Sequence, residues 1–285
     1  MNPLNFAEKM GLPGAVIYND AYNHASIVDG NMLSGAKVIR YNHLDCVDLS
    51  EKISDVNDKS FRKLIITDCV FSMDGDVAPL GEIYNIAKQN DALLMVDDAH
   101  GFGALGIDGG GTAVSLDLKG KVDINMGTFS KGIGVSGGFV SGSKELIELL
   151  RVTTRSYMFS DSLSPVIVGA VIAALKYIHE HPEIIAKLSA NAKFLRTKLN
   201  ELGFDTLGSS THIIPLVTGE TKATIMFSRL LLENGICGPA VRWPAVPRDK
   251  GRIRLAVTAG HTEEQIDTLV KMILKVSQKI SIPRK

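Results

Sequence analysis

The sequence predicts an α/β protein with a mostly parallel β-sheet, followed by a smaller α+β portion. Two observations support this prediction. Short apolar runs alternate with helical patterns through the first half of the 285 residues, and such alternation favours a parallel sheet covered by helices on both faces. After Pro165 two long helical patterns come first, and strands and helices then alternate over a shorter stretch.

Six apolar runs in the first half have the length and composition of buried strands. They are residues 15–18, 37–40, 64–67, 92–96, 122–126 and 138–140. A helix is predicted over residues 79–89, because apolar residues recur at helical spacing after a proline suited to a first turn. Ligands of such sheets bind beyond the carboxyl ends of the strands.

Beyond Pro165 we predict helices over residues 166–180 and 183–202, interrupted at His181-Pro182. A strand at 213–217, a helix at 222–233, a strand at 253–257 and a helix at 263–277 follow. Thr262 with Gln265 three positions later predicts a capping box at the start of the last helix. The change of pattern places a domain boundary near Pro182 and gives two domains, residues 1–181 and 182–285.

The charge balance excludes some classes of partner. Lys plus Arg and Asp plus Glu each number 31, so no net basic charge attracts nucleic acid or an anionic membrane. No apolar run approaches membrane-spanning length, and the first residues lack the pattern of a secretory signal, which favours a cytoplasmic enzyme. The three cysteines are far apart and the seven histidines are scattered, so no metal site is predicted.

Two short motifs suggest a chemistry. V-D-D-A-H ends at His100 and G-T-F-S-K-G-I-G contains Lys131, and each follows a predicted strand. An acid at one strand exit and a lysine at another suit pyridoxal phosphate, because the acid keeps the pyridine nitrogen protonated and the lysine forms an imine. Asp97 and Asp98 point to opposite faces, so only one can face a ligand. Thr128 and the glycines after Lys131 could hold a phosphate.

Two other glycine patterns suggest different functions and have the wrong context. G-x-G-x-x-G occurs twice, at residues 101–106 and 132–137, but neither copy lies between a strand and a helix as dinucleotide binding requires. G-V-S-G-G, residues 134–138, matches the G-x-S-x-G of serine hydrolases. A strand rather than a helix is predicted after Ser136, so this residue is a poor nucleophile.

Five motifs, in this order along the chain, resemble the α-oxoamine synthase family. They are F-S-M-D-G-D, V-D-D-A-H-G, T-F-S-K-G-I-G-V-S-G-G, Y-M-F-S-D-S-L-S-P and R-I-R-L, and the likeness runs from about Ala21 to the C-terminus. The resemblance implies a fold-type I pyridoxal phosphate enzyme that joins a small amino acid to an acyl thioester of coenzyme A or acyl carrier protein. The product would be an α-aminoketone.

The resemblance also implies roles for the residues around the cofactor. Lys131 would bind the cofactor covalently and then act as acid and base on the substrate α-carbon. Asp97 would pair with the pyridinium nitrogen. His100 and Ser72 would contact the phenolic oxygen of the ring, and Thr128 would bind the phosphate.

Three further roles follow from the same resemblance. His24, in N-H-A-S-I, would stack on the cofactor ring, although a histidine here could also simply begin a helix. Arg254 would bind the carboxylate of the amino acid, a bidentate task suited to guanidinium, although it could also be an outward strand residue paired with an acid. Ser160 would reach the phosphate of a neighbouring subunit, which makes the expected assembly a homodimer.

The branch of the family and the activity stay open. Residues 240–247, A-V-R-W-P-A-V-P, are most similar to the oxononanoate synthase and ketobutyrate ligase branches, with serine palmitoyltransferases as a further alternative. Family members carry a longer segment before N-H-A-S-I that includes phosphate and substrate contacts. We therefore expect weakened cofactor binding here, and the rival hypothesis is a truncated homologue with little activity that acts as a partner subunit.

Overall fold

The structure is a computed structural model that describes residues 14–55 and 62–285. The chain forms two compact units. The first contains the described residues up to Phe71 together with Ala78–His181, and the second contains Ser72–Val77 and Pro182–Lys285. The domain division at residues 181 and 182 stays a prediction, and its first domain includes residues 1–13, which lie outside the described residues. The sequence patterns do not indicate that Ser72–Val77 lies in the second unit.

The first unit contains a six-stranded sheet in the order β2-β1-β3-β4-β5-β6. Strands β1 to β5 are parallel and β6 is antiparallel to β5. The α/β fold class predicted from the alternating pattern is confirmed. The strands are β1 Ala15–Asp20, β2 Lys37–Tyr41, β3 Arg62–Asp68, β4 Ala92–Asp97, β5 Ile124–Thr128 and β6 Gly138–Gly142.

Seven helices of the first unit lie within the described residues. They are α1 Ala25–Ser34, α2 Cys46–Ser54, α3 Leu80–Gln89, α4 Thr112–Ser115, α5 Lys144–Thr153, α6 Arg155–Met158 and α7 Pro165–Glu180. Only α3 and α7 are predicted from the sequence. In α1 the interior Gly30 and the buried, polar Asn31 interrupt the apolar stripe, so helical periodicity does not reveal it.

The two faces of the sheet are covered unequally. Tyr18, Ile65 and Leu94 belong to the larger core and are fully buried on one face. On the other face Ile17, Ile27 and Ile66 form a smaller cluster, and Leu93 is 51% exposed. Helix α1 therefore covers part of the second face through Ile27, and helical cover of the rest of that face stays a prediction.

The second unit contains an antiparallel sheet in the order β7-β9-β8. Its core includes Leu195, Phe204, Phe227 and Ile253, all with no exposed surface. The predicted capping box is present, because Thr262 and Gln265 each bond the backbone N–H of the other. The elements are α8 Glu183–Glu201, β7 Ile213–Gly219, α9 Thr221–Glu233, β8 Ala240–Val241, β9 Gly251–Ala256 and α10 Glu263–Ser277.

Within residues 14–55 and 62–285, no helix combines the length and the apolar composition needed to cross a bilayer.

Candidate active site

The candidate site of the first unit lies at the carboxyl edge of the sheet, where the parallel strands end together. Three parallel strands end there, and the last residue of each is a polar residue of the candidate site. These residues are Asp68 on β3, Asp97 on β4 and Thr128 on β5. Asp68 and Asp97 are register partners. Because side chains at paired positions share a face of the sheet, these two carboxyl groups are neighbours.

The two acids of V-D-D-A-H have different environments. Asp98 is tied to Thr112, accepting from its backbone N–H at 2.7 Å and from its hydroxyl at 2.5 Å. Burial raises the pKa of Asp98 to about 6, and the bonds from Thr112 act in the opposite direction. Asp97 accepts at one oxygen from the Ala99 N–H at 3.0 Å, and no hydrogen bond to its other oxygen occurs within the described residues. Asp97 is therefore the acid with capacity for a ligand.

Lys131 lies on an exposed, tightly bonded turn. The N–H of Val135 donates to the carbonyl of Phe129 at 2.7 Å, and the N–H of Gly134 donates to the carbonyl of Lys131 at 3.0 Å. A Cβ at position 132 would lie 2.6 Å from the carbonyl oxygen of Phe102, so only glycine allows this approach. The turn is thereby held against the loop that follows β4.

Thr128 and His100 lie between these two motifs. The Thr128 hydroxyl donates to the Ala99 carbonyl at 3.4 Å, which joins the exits of β4 and β5. His100 follows Ala99 and is half-buried. The placement of both residues beside Asp97 is compatible with the roles that the family resemblance implies, and those roles stay predictions.

His24 is the N-terminal cap of α1, where its ring nitrogen Nδ1 accepts from the Ser26 N–H at 3.2 Å. The simple helix-start interpretation thus describes its local structure. Its own backbone N–H donates to Asp68 Oδ2 at 3.1 Å, which connects this exposed histidine to the carboxyl edge of the sheet. The two interpretations of His24 are therefore compatible.

Sequence reasoning missed Asp68 and Asn23. Asn23 is buried and accepts from the Asp68 N–H at 2.8 Å, while its amide nitrogen donates to the Ile66 carbonyl at 2.9 Å. Burial raises the pKa of Asp68 to about 8, with the charge of Asp97 as the next cause. Asp68 could have been recognised from its position in the sequence, because it ends an apolar strand just as Asp97 does.

Arg254 and Ser72 lie in the second unit. The Arg254 Nε donates to the Ser72 carbonyl at 2.5 Å, and burial lowers the pKa of the guanidinium. Neighbouring Arg252 pairs with Asp74 at 2.5 Å, whereas no carboxylate of the described residues forms an ion pair with Arg254. The expected alternative of an outward arginine paired with an acid therefore does not describe Arg254, and an anion would satisfy it.

Ser160 and Ser136 are both exposed. The Ser160 hydroxyl donates to the Ser156 carbonyl near the end of α6. The contact of Ser160 with the cofactor phosphate of a neighbouring subunit stays a prediction. Ser136 lies in a turn that leads into the strand β6, so the strand–nucleophile–helix arrangement of a hydrolase is absent at this described position.

The donor set fits pyridoxal phosphate. An exposed lysine, a buried carboxyl with an oxygen available for a ligand, an imidazole and a hydroxyl follow strand ends of one sheet edge. The lysine can bind the cofactor aldehyde, and the carboxylate can keep the ring nitrogen protonated. The fold and this donor set define a fold-type I pyridoxal phosphate-dependent transferase.

Comparisons with known proteins agree with this class. The model of the family described as aminotransferase class I and II matches residues 5–273. An 8-amino-7-oxononanoate synthase of Thermoanaerobacter pseudethanolicus is 46% identical over 269 residues, which are 94% of this chain and 68% of that protein. The chain thus spans about two thirds of the length of this relative.

Solved structures show the same relationship. A serine palmitoyltransferase with pyridoxal phosphate superposes with a TM-score of 0.90 at 31% identity, over 95% of this chain and 69% of that one. The 8-amino-7-oxononanoate synthase of Francisella tularensis gives a TM-score of 0.80 at 26% identity, over 97% and 80%. The chain belongs to the aminotransferase class I and II family and, within it, to the α-oxoamine synthases.

Proposed function

We propose that this chain transfers the acyl group of a thioester to the α-carbon of alanine and forms 8-amino-7-oxononanoate. The observation that carries the proposal is the 46% identity to an 8-amino-7-oxononanoate synthase over 94% of the chain. The common sheet edge of Lys131 and Asp97 supports it, because both residues are needed for chemistry at an amino-acid α-carbon.

The name of the product specifies the substrates. The amine is on C8 beside the terminal methyl group C9, so these two carbons correspond to the α-carbon and side chain of alanine. The ketone is on C7, so C1 to C7 come from the thioester of a seven-carbon dicarboxylic acid. A C7–C8 bond forms, the thiol leaves, and the alanine carboxylate is released as carbon dioxide, which balances the atoms.

The chain supplies groups for each part of this reaction. When bound, pyridoxal phosphate withdraws electrons from the α-carbon. Asp97 would keep the ring nitrogen protonated, and Lys131 would remove and return the α-proton. His24 would pack on the ring, and Arg254 would bind the alanine carboxylate through two parallel hydrogen bonds.

The remaining predicted contacts complete the cofactor site. Thr128 would donate to the phosphate, and His100 and Ser72 would donate to the phenolic oxygen of the ring. All three residues have polar side-chain atoms suited to these tasks. Their contribution is orientation of the cofactor rather than proton transfer at the α-carbon.

We also propose a homodimer that works in the cytoplasm. Large apolar side chains are exposed around Ser160: Tyr157 is 64% exposed, and Phe159 and Val166 are each 80% exposed. Such patches mark interaction surfaces, so this one supports an interface near Ser160. Sedimentation of the purified chain tests the assembly: a dimer supports the interface, and a monomer at all concentrations contradicts it.

The cofactor assignment is tested by adding pyridoxal phosphate to the purified chain and recording the visible absorption of the lysine-bound form. We expect the band in the wild type and in the exposed-lysine control Lys119→Ala, and we expect Lys131→Ala to lack it. A band that persists in Lys131→Ala would refute the assignment. Absence of the band in the wild type would favour the rival hypothesis of a non-catalytic partner subunit.

The substrate assignment is tested with a panel of amino acids and acyl thioesters, followed by mass analysis of the products. Alanine with the seven-carbon dicarboxylic thioester is expected to react fastest. Preference for glycine with an acetyl thioester would indicate a ketobutyrate ligase, and preference for serine with a long-chain thioester would indicate a serine palmitoyltransferase.

A further inference from the structure

Two buried carboxyl groups lie side by side at the carboxyl edge of the sheet. Asp68 and Asp97 end neighbouring parallel strands as register partners, and they are 6% and 8% exposed. Neighbouring strands are about 4.8 Å apart, and paired residues share a face. Two ionised carboxylates in this arrangement repel one another, so one of them favours its protonated form.

Asp68 also holds the segment that carries His24. One carboxyl oxygen accepts from the His24 N–H at 3.1 Å. The backbone N–H of Asp68 donates to the Asn23 side chain at 2.8 Å, and Asn23 in turn donates to the Ile66 carbonyl at 2.9 Å. Bonds from Asp68 thus fix two consecutive residues, and the second of them carries the imidazole ring.

The charged and titratable groups around Asp68 come from every neighbouring strand end. They are Asp20 at the end of β1, Tyr41 at the end of β2, Asp97 at the end of β4, and Lys131 after β5. Burial is the main cause that raises the pKa of Asp68 to about 8, and Asp97 and Asp20 act in the same direction. The His24 N–H and Lys131 oppose this shift.

We propose that Asp68 is a positioning residue of this site, which holds the His24 backbone with a neutral carboxyl group and leaves Asp97 as the anion of the pair. A single anion suits a single protonated ring nitrogen, whereas a second buried charge would compete for it. The inference rests on the proposed function only for the roles of His24 and Asp97. The contacts of Asp68 belong to the chain itself.

The test uses two substitutions at Asp68 and one matched control. Asp68→Asn keeps an oxygen that can accept from the His24 N–H and removes the ability to ionise, while Asp68→Ala removes both. Asp45→Asn is the control, because Asp45 caps α2 by accepting from the Asp48 N–H and asparagine caps helices equally well.

The first measurement is the imidazole NMR signal of His24 in the chain without cofactor, assigned by its loss in His24→Gln. We expect Asp68→Ala to shift this signal and Asp68→Asn and Asp45→Asn to leave it near the wild-type position. An unchanged signal in Asp68→Ala would overturn the positioning role. A shift in Asp68→Asn as large as that in Asp68→Ala would overturn the neutral state.

The second measurement is the unfolding temperature of the same chains between about pH 5 and about pH 8. The folded-state pKa of Asp68 lies above its unfolded value, so the folded chain binds the proton more tightly and wild-type stability falls as pH rises through this window. Asp68→Asn removes this dependence. The unfolding temperature of the variant minus that of the wild type should therefore increase by several degrees between about pH 5 and about pH 8. Parallel curves for the two chains would overturn the neutral state.

Binding of pyridoxal phosphate separates this inference from the proposed function. We expect Asp68→Asn to keep the wild-type dissociation constant within about twofold and Asp68→Ala to raise it about tenfold, as expected for loss of one hydrogen bond. A tenfold loss of pyridoxal phosphate affinity in Asp68→Asn would overturn the proposal that the Asp68 carboxyl group is neutral. If neither the wild type nor any variant binds the cofactor, the proposed function fails. The His24 NMR signal and the pH dependence of the unfolding temperature, both measured without cofactor, still test the inference about Asp68.

Discussion

Arg254 donates from Nε to the backbone carbonyl of Ser72 at 2.5 Å, so one edge of its guanidinium is already in use. The guanidinium is partly buried, and burial lowers its pKa. A buried charge without a counterion is unfavourable, and within the described residues no carboxylate pairs with it. The terminal nitrogens of Arg254 are therefore suited to the carboxylate of a bound substrate.

We expect Arg254→Lys to raise the KM for the amino acid about tenfold to a hundredfold, because lysine keeps the charge and loses the bidentate geometry. The unfolding temperature should change little, and pyridoxal phosphate should still bind. Steady-state kinetics with a varied amino acid measures the effect, and the exposed Arg229→Lys is the control. An unchanged KM would contradict the role of Arg254 as carboxylate ligand.

The two acids of V-D-D-A-H should separate into a functional and a structural residue. Asp97→Asn should keep the unfolding temperature and lower kcat about a hundredfold or more, because an amide cannot keep the ring nitrogen protonated. Asp98→Asn should lose about 1–3 kcal/mol of stability, because one amide oxygen cannot accept both bonds from Thr112.

Thermal unfolding and single-turnover kinetics of both variants check this separation. Thr112→Ala is the matched control for Asp98, since it removes the hydroxyl partner and keeps the acid. If Asp98→Asn is as stable as the wild type while Asp97→Asn unfolds more readily, the two assignments are reversed.

The sequence predicts the helices and strands whose apolar pattern is regular, and it does not reveal those whose pattern is interrupted. Asp97 ends a largely apolar run, and Lys131 follows a run in which Asp123 and Asn125 alternate with apolar residues. The place of both residues at the carboxyl edge of a parallel sheet could therefore be predicted. Helix α2 follows the cap Asp45 but contains only two buried positions, Leu49 and Ile53, which is too few to show periodicity.

The contacts of the site depend on tertiary structure that a linear pattern does not contain. Asp68 and His24 are 44 positions apart in the chain, and their bond exists because β1 and β3 are neighbours in the sheet. The pairing of Asp98 with Thr112 likewise depends on the path of the loop between them. Strand order and loop path are set by packing, so the sequence alone reveals the candidates and not their partners.

The ion pair of Asp74 with Arg252 should be structural. The two side chains are 16% and 4% exposed and lie 2.5 Å apart, and loss of one partner of a buried pair costs about 3–5 kcal/mol. We expect Asp74→Ala to destabilise the chain by about this amount, measured by denaturant unfolding. Glu233→Ala breaks the exposed pair with Arg229 and should cost less than about 1 kcal/mol. Equal losses in the two variants would contradict the structural role.

His212 should make stability depend on pH in the acid range. Burial lowers its pKa to about 4, with the charge of Arg254 as the second cause, and its Nδ1 has no hydrogen-bond partner among the described residues. Its folded-state pKa lies below the unfolded value near 6.5, so the unfolded chain binds the proton more tightly. Stability is therefore complete above about pH 6.5 and falls as pH decreases toward about pH 4, by up to about 3 kcal/mol.

The variant His212→Gln should lose part of this acid dependence, because glutamine does not titrate. Chemical denaturation at about pH 7 and about pH 4.5 measures the difference between the two chains. We expect the variant to be less destabilised by acid than the wild type, whereas the exposed-histidine control His179→Gln should follow the wild-type curve. If His212→Gln and the wild type lose the same stability between the two pH values, the buried imidazole is not the group that titrates.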